Sequence, residues 1–236
     1  MEAIERMKHS RRYYSNLKAI DKFKNYDVIE GVDLLKETST AKFDESIEIS
    51  VNLGVNPKYS EQMVRGTVIL PHGTGKKIRV LVLTQGEKVK EAEEANADYV
   101  GLEEYIKKIQ DGWFEFDVLI VSPDVMKFVG KLGKILGPKG LMPNPKSGTV
   151  TDDIGNAVKD SKAGKISFRV DKYGIIHSAI GKASFDKEKL VDNVKTMVKT
   201  VMKLKPIGLK GQYIRKITLS STQGPGIKID KQSVLN

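Results

Sequence analysis

The chain has 236 residues, 39% of them hydrophobic and 30% charged, with no cysteine; it can bury one large core or two small ones, is too apolar for a disordered tail, and cannot use disulfides, thiolate metal sites or cysteine nucleophiles. No stretch reaches the roughly 18 to 20 uncharged apolar residues of a bilayer span, and residues 1–6 form a charged run rather than an apolar signal core, so a soluble, cytoplasmic chain without a membrane partner is expected. The net charge of +10 is uneven: residues 1–71 carry 11 Lys+Arg and 11 Asp+Glu, residues 72–162 carry 14 and 14, and residues 163–236 carry 15 and 5. A positive field confined to the last third attracts a polyanion, and nucleic acid is the abundant one; an excess of this size also serves solubility alone. The neutral middle offers RNA no long-range attraction.

In chain order, the first segment opens on Arg6, Lys8, His9, Arg11 and Arg12, followed by a helical stretch near residues 32–37. Ile47, Ile49, Val51 and Leu53 then alternate with polar residues, the period of a strand with one wet face. In the middle, residues 80–83 and 118–121 are continuous apolar runs, read as strands buried on both faces, with helices expected to begin near Glu87, Leu102 and Pro123; this alternation predicts a small parallel sheet covered on both sides. In the last segment, residues 165–170 and 213–219 return to period two, and Leu190, Val194, Met197, Val201 and Leu204 fall on one helical stripe. Asp171-Lys172-Tyr173-Gly174 predicts a hairpin turn between two strands, with Lys172 and Tyr173 at its tip.

The outer segments share the period-two pattern and the middle one does not. The economical assembly is an α+β composite domain with a split, antiparallel or mixed sheet, residues 1–71 plus 163–236, interrupted by an inserted α/β, Rossmann-like domain of residues 72–162. Three sequential units would leave residues 1–71 with one good strand and no means of burying a core. The crossings are expected near residues 71–73 and 163–164, with Gly73 and Gly164 as hinges.

Three stretches carry candidate chemistry. Residues 130–148 crowd five glycines, three prolines and four lysines into nineteen positions, which suits a phosphate-contacting loop and equally suits a rigid surface loop. Thr40-Ala41-Lys42-Phe43-Asp44-Glu45-Ser46 puts a cation, an aromatic, carboxylates and hydroxyls at a strand entrance; Phe43 there is either a core anchor or a surface for an RNA sugar or base. Leu219-Ser220-Ser221-Thr222-Gln223-Gly224-Pro225-Gly226 ends a strand in a hydroxyl-rich turn, open to RNA backbone or simply a strand terminator. Neither a P-loop nor a Rossmann fingerprint is present, and no Ser/His/Asp set or paired carboxylates stand in a supporting context. His9, His72 and His177 lack the helical spacing of metal ligands, so no catalytic residue, metal or cofactor is expected. A nucleotide-binding α/β enzyme using the middle domain is the alternative, distinguished by ATP or GTP binding.

Beyond these stretches the chain reads Val64-Arg65-Gly66-Thr67-Val68, Leu70-Pro71-His72-Gly73, Ala97-Asp98-Tyr99-Val100-Gly101, Ile135-Leu136-Gly137-Pro138-Lys139-Gly140-Leu141-Met142-Pro143-Asn144-Pro145-Lys146 and Gly181-Lys182-Ala183-Ser184-Phe185. With Ala41 to Glu45 and Gly224-Pro225, these blocks closely resemble, over nearly the whole length and in one order, the family of the first large-subunit ribosomal protein of bacteria, which builds the mobile stalk beside the tRNA exit site. The resemblance implies a non-enzymatic protein, a monomer outside the ribosome, that binds large-subunit ribosomal RNA, assists release of exit-site tRNA and represses translation of its own operon mRNA. It also implies RNA contact at Lys42, Phe43, Glu45, Ser46 and Glu48 and at a Thr-Met-Gly triad. Here that triad reads Thr222-Gln223-Gly224, with glutamine for methionine; Lys172 at the hairpin tip is a further candidate.

Overall fold

A computed structural model describes residues 10–235. The opening charged run with Arg6, Lys8 and His9 lies outside the described residues. The elements in chain order are α1 (Arg11–Lys18), α2 (Val28–Thr38), β1 (Ser46–Leu53), β2 (Arg65–Ile69), β3 (Val80–Leu83), α3 (Lys88–Glu94), β4 (Tyr99–Gly101), α4 (Glu103–Gln110), β5 (Val118–Val121), α5 (Met126–Gly130), α6 (Gly133–Leu136), α7 (Ile154–Lys162), β6 (Lys165–Arg169), β7 (Ile175–Lys182), α8 (Lys187–Lys203), β8 (Ile214–Ser221), β9 (Ile227–Ile229) and α9 (Lys231–Leu235). Contacts divide them into two units, one reaching Gly75 and resuming at Phe168, the other Lys76–Ser167.

The first unit is built on a four-stranded antiparallel sheet of order β7-β1-β8-β9. Its centre is β1, whose odd residues Ile47, Ile49, Val51 and Leu53 are at most 1% exposed. Helices α2 and α8 cover that side, α2 against β8 and β9, α8 against β7. Helix α2 begins at Val28, earlier than the apolar pattern suggests, because Asp27 caps it by accepting from the Ile29 N–H at 2.8 Å. In α8 the expected stripe holds for Leu190, Val194, Met197 and Val201, joined by Val198, all buried. Leu204 departs from it: it is the C-cap residue and 38% exposed. The expected hairpin is also altered. Residues 171–174 do form the turn, with Gly174 at φ 82° and the Asp171 N–H donating to the Ile175 carbonyl at 2.8 Å. The flanking strands share only the bridge Val170↔Ile176, because β6 pairs with β2 in a two-stranded sheet while β7 pairs along β1.

In the second unit, three parallel strands lie in the order β4-β3-β5, with Leu81↔Leu119 and Val82↔Ile120 in register. Every residue of β3 is 0% exposed, as a continuous apolar run requires. Leu81, Leu83, Leu119 and Val121 pack on Ile109, Val129, Leu132 and Leu136, and Val80, Val82 and Ile120 pack on Ala92, Ile154 and Val158. Strand β4 is too short for a period to be legible. At Pro123 the expected helix starts as a 3-10 turn, Pro123–Val125, before α5. Within residues 130–136, Gly130 closes α5 and Gly133–Leu136 form α6, joined by a turn at 131–132, rather than an open loop, since Val129, Leu132 and Leu136 anchor them in the core.

The crossings lie a few residues beyond those expected. His72 and Gly73 are fastened to the first unit, where the buried Asn193 accepts from the His72 N–H at 3.3 Å and donates to the Gly73 carbonyl at 3.0 Å. Gly73 (φ 62°) and Gly164 (φ 98°) both use the left-handed region, but Gly73 is not free to turn while Asn193 holds it. Leu81→Ala, at a site 0% exposed, is expected to destabilise the second unit by about 2–5 kcal/mol. Amide hydrogen exchange should then rise in β3, β4 and β5 and stay unchanged in β1 and β8; an equal rise in both sheets would refute the division into separately stable units.

Candidate nucleic-acid interface

The register Ile47↔Ser221 brings the entrance of β1 beside the exit of β8, and Glu45 lies between them, 2% exposed. Its Oε1 accepts from the Ala41 N–H at 3.0 Å, and its Oε2 accepts from Ser221 Oγ at 2.8 Å and from the Gln223 N–H at 2.9 Å. Its carbonyl accepts from the Ala183 N–H at 2.8 Å. One residue therefore ties together residues 41, 183 and 221–223. Burial pushes the carboxyl up, but the hydrogen bonds from Gln223, Ser221 and Ala41, with the Arg12 guanidinium, outweigh it and hold the group below its ordinary value. Glu45 was expected to face RNA; it is instead a buried brace, because the donors that fold around it use both of its oxygens.

The turn around Glu45 is closed by further bonds. The Ser46 N–H donates to Thr222 Oγ1 at 2.9 Å, and that hydroxyl donates to the Ser46 carbonyl at 3.3 Å. Lys182 Nζ donates to Ser46 Oγ at 2.7 Å, and Asp44 accepts from the Ser184 N–H and Oγ at 3.1 and 2.8 Å. A Cβ on Gly224 would stand 2.4 Å from Ser221 Oγ, so only glycine leaves Ser221 free to reach Glu45. Gln223 Oε1 accepts from the Arg12 guanidinium, which draws α1 to the rim. Lys42, Phe43, Thr222 and Gln223 are exposed at this end of the sheet, Phe43 at 50%. An aromatic half out of the core at a charged rim is a surface for a planar partner.

From this rim a polar sheet face extends along β1. Its even residues Ser46, Glu48, Ser50 and Asn52 are exposed or half-buried and stand opposite Lys182, Ala179, His177 and Ile175 on β7. On β8 the partners of Glu48, Ser50 and Asn52 are Ser220, Thr218 and Lys216, and Lys228 of β9 pairs with Thr218. His177 Nδ1 lies 3.1 Å from Ser50 Oγ and its Nε2 lies 3.5 Å from Asp171 Oδ2. Hydroxyls, an amide and cations with one carboxylate suit ribose hydroxyls and phosphates.

The fold brings together Lys42, Phe43, Ser46, Glu48, Thr222, Gln223 and Gly224. Lys172 is not part of that cluster: its turn is at the opposite end of β1, about 20 Å away at strand rise, with its Nζ 5.1 Å over the exposed Tyr173 ring. Sequence reasoning missed Ser50, His177, Lys216 and Thr218 on the face and the role of Arg12 at its rim, while Ser220 lay in the hydroxyl-rich stretch it had singled out. The polar half of the β1 alternation signalled Ser50, whereas its partners on β7 and β8 are legible only from register.

Two substitutions test the brace. Glu45→Gln turns an amide N–H₂ toward groups that are themselves donors, and leaving them unpaired is expected to cost about 1–3 kcal/mol. Because the folded-state carboxyl is held low, its contribution is full above the ordinary carboxylate range and fades as pH falls through the folded value; the variant's stability should fall less steeply with acid, and an unchanged acid profile in urea melts would refute the brace. Gly224→Ala should shift Ser221 and cost about 1–3 kcal/mol, measured the same way; an unchanged midpoint would show that Ser221 does not depend on this glycine.

A family model described as the Ribosomal protein L1p/L10e family matches residues 35–225. The matched span runs through both units and includes β1, β8 and the Glu45 brace. The chain therefore belongs to the ribosomal protein L1p/L10e family, structural proteins of the large ribosomal subunit that bind its RNA.

Proposed function

We propose that the polar face of the β7-β1-β8-β9 sheet, with Lys42, Phe43 and Thr222–Gly224 at its rim, is the surface that holds large-subunit ribosomal RNA at the exit-side stalk. From there the protein assists release of deacylated tRNA from the exit site. When present in excess over ribosomal RNA it represses translation of its own operon by holding the leader of that messenger RNA on the same face. The observation that carries this reading is the Glu45 brace, which fixes two chain segments 176 residues apart into one ready-made rim. A rim ordered in advance avoids much of the ordering cost of binding. The charge of the last third supplies the attraction, and Lys182, Lys216 and Lys228 stand on or beside the face itself.

The mechanism divides between positioning and reading. Lysines near phosphates set orientation, while Ser50, Thr218 and Ser220 offer hydroxyls at the spacing of adjacent strands to ribose hydroxyls and base edges. Thr222 contributes indirectly, because its hydroxyl is already engaged with Ser46 on both sides.

Phe43→Ala is expected to weaken binding of a ribosomal RNA fragment by about 1–3 kcal/mol with the melting temperature unchanged. Lys216→Gln is expected to reduce the dependence of log affinity on log salt by about 0.7–0.9, the share of one phosphate contact. Unchanged affinity in the first and unchanged slope in the second would move the RNA site off this face. For repression, the ribosomal fragment and the operon leader RNA should displace one another in competition; simultaneous binding of both would refute a shared face.

A further inference from the structure

The second unit is close to neutral in total, with 15 Lys+Arg against 14 Asp+Glu in residues 76–167, but its charge is segregated. From Val125 to Thr151 there are five lysines and no carboxylate, while the rest of that unit has 10 cations and 14 carboxylates. This overturns the expectation of a middle that gives RNA no attraction, since a local field depends on where charges stand and not on their sum. The two carboxylates that bracket the stretch are engaged elsewhere: Asp124 and Asp152 lie 3.7 and 2.6 Å from Lys88 Nζ. Among the described residues, none of the five lysines forms an ion pair.

Their arrangement is set by the helical path through α5 and α6. Lys131 and Leu132, between the two helices, keep right-handed helical backbone angles, so Lys127, Lys131 and Lys134 recur at one face of a nearly continuous helix. The opposite face, Val129, Leu132 and Leu136, is buried. Phe128 stands beside the lysine row, 48% exposed. A Cβ on Gly130 or Gly140 would meet nothing within 4 Å, so both backbones are open to close approach.

We propose that this lysine face of the second unit is a second RNA surface, distinct from the sheet face, that takes phosphate backbone without regard to sequence and stacks an unpaired base on Phe128. The exposed ring favours RNA over an acidic protein surface, because every base presents a π-face to it while a carboxylate gains nothing from it. Flexible lysines suit a backbone contact that need not be in one register.

The test uses the full chain with a labelled RNA duplex of scrambled sequence and a salt titration. Lys127→Gln/Lys131→Gln/Lys134→Gln is expected to lower affinity at least about tenfold and to reduce the slope of log affinity against log salt by about 2 to 3, as for three phosphate contacts. Phe128→Ala should weaken single-stranded RNA more than duplex. Lys90→Gln/Lys107→Gln/Lys159→Gln removes the same charge from exposed positions of the same unit on α3, α4 and α7, outside the carboxylate-free stretch, and should leave the slope unchanged. Equal loss in both triple variants, or none in the first, overturns the proposal. So does competition by polyglutamate as effective as by RNA, which would assign the face to an acidic protein. Binding of the ribosomal RNA fragment should survive the first triple variant and weaken in Phe43→Ala, so failure of one surface is distinguishable from failure of the other.

Discussion

A single buried carboxylate organises the candidate interface. Glu45 satisfies two backbone N–H groups and one hydroxyl that would otherwise lie orphaned where β1 and β8 meet. A neutral side chain with the same reach would accept at one oxygen only. In a low-dielectric setting the charge strengthens each bond, and that gain outweighs the desolvation which opposes it. The consequence is geometric: Ser221, Gln223 and Gly224 take positions relative to residues 41–46 that no local propensity would impose.

The sheet divides its work by parity. Odd residues of β1 are spent on the core with α2 and α8, while the even ones form the polar face. A slip of one residue would exchange the two sets, so the core that stabilises the sheet also fixes which hydroxyls face outward. Bulges between Ile47 and Glu48 on the β7 side and between Asn52 and Leu53 on the β8 side mark the two ends of the regular face. Stability and recognition are thus coupled through register rather than through shared side chains.

In the second unit the same economy takes another form. The apolar residues Val129, Leu132 and Leu136 that pull the glycine-rich stretch into helix also orient its lysines outward. Lys88, held between Asp124 and Asp152, neutralises the nearest carboxylates; its ammonium is favoured by the hydrogen bond it donates to Asp152, which holds its pKa above the ordinary lysine value. What sums to only +1 is therefore strongly segregated in charge.

The sequence by itself determined the elements whose patterns are long enough to read: β1 and β8 follow from apolar residues at every second position, β3 and β5 from continuous apolar runs, and α8 from apolar residues at every third or fourth position. It also determined that the outer segments belong to one α+β unit type and the middle to another, and the blocks shared with a ribosomal protein family led to the function. Tertiary structure alone decided the rest. Glu45 reads in the sequence as an exposed acid in a polar motif, and only the approach of Ser221 and Gln223, 176 and 178 residues away, makes it a buried brace. The assignment of β6 to β2 rather than to β7, the fastening of Gly73 by Asn193 and the pairing of Ser50 with His177 share that cause. A period reports which way a side chain points along its own element; which distant group meets it depends on how the elements pack, and no local pattern encodes that.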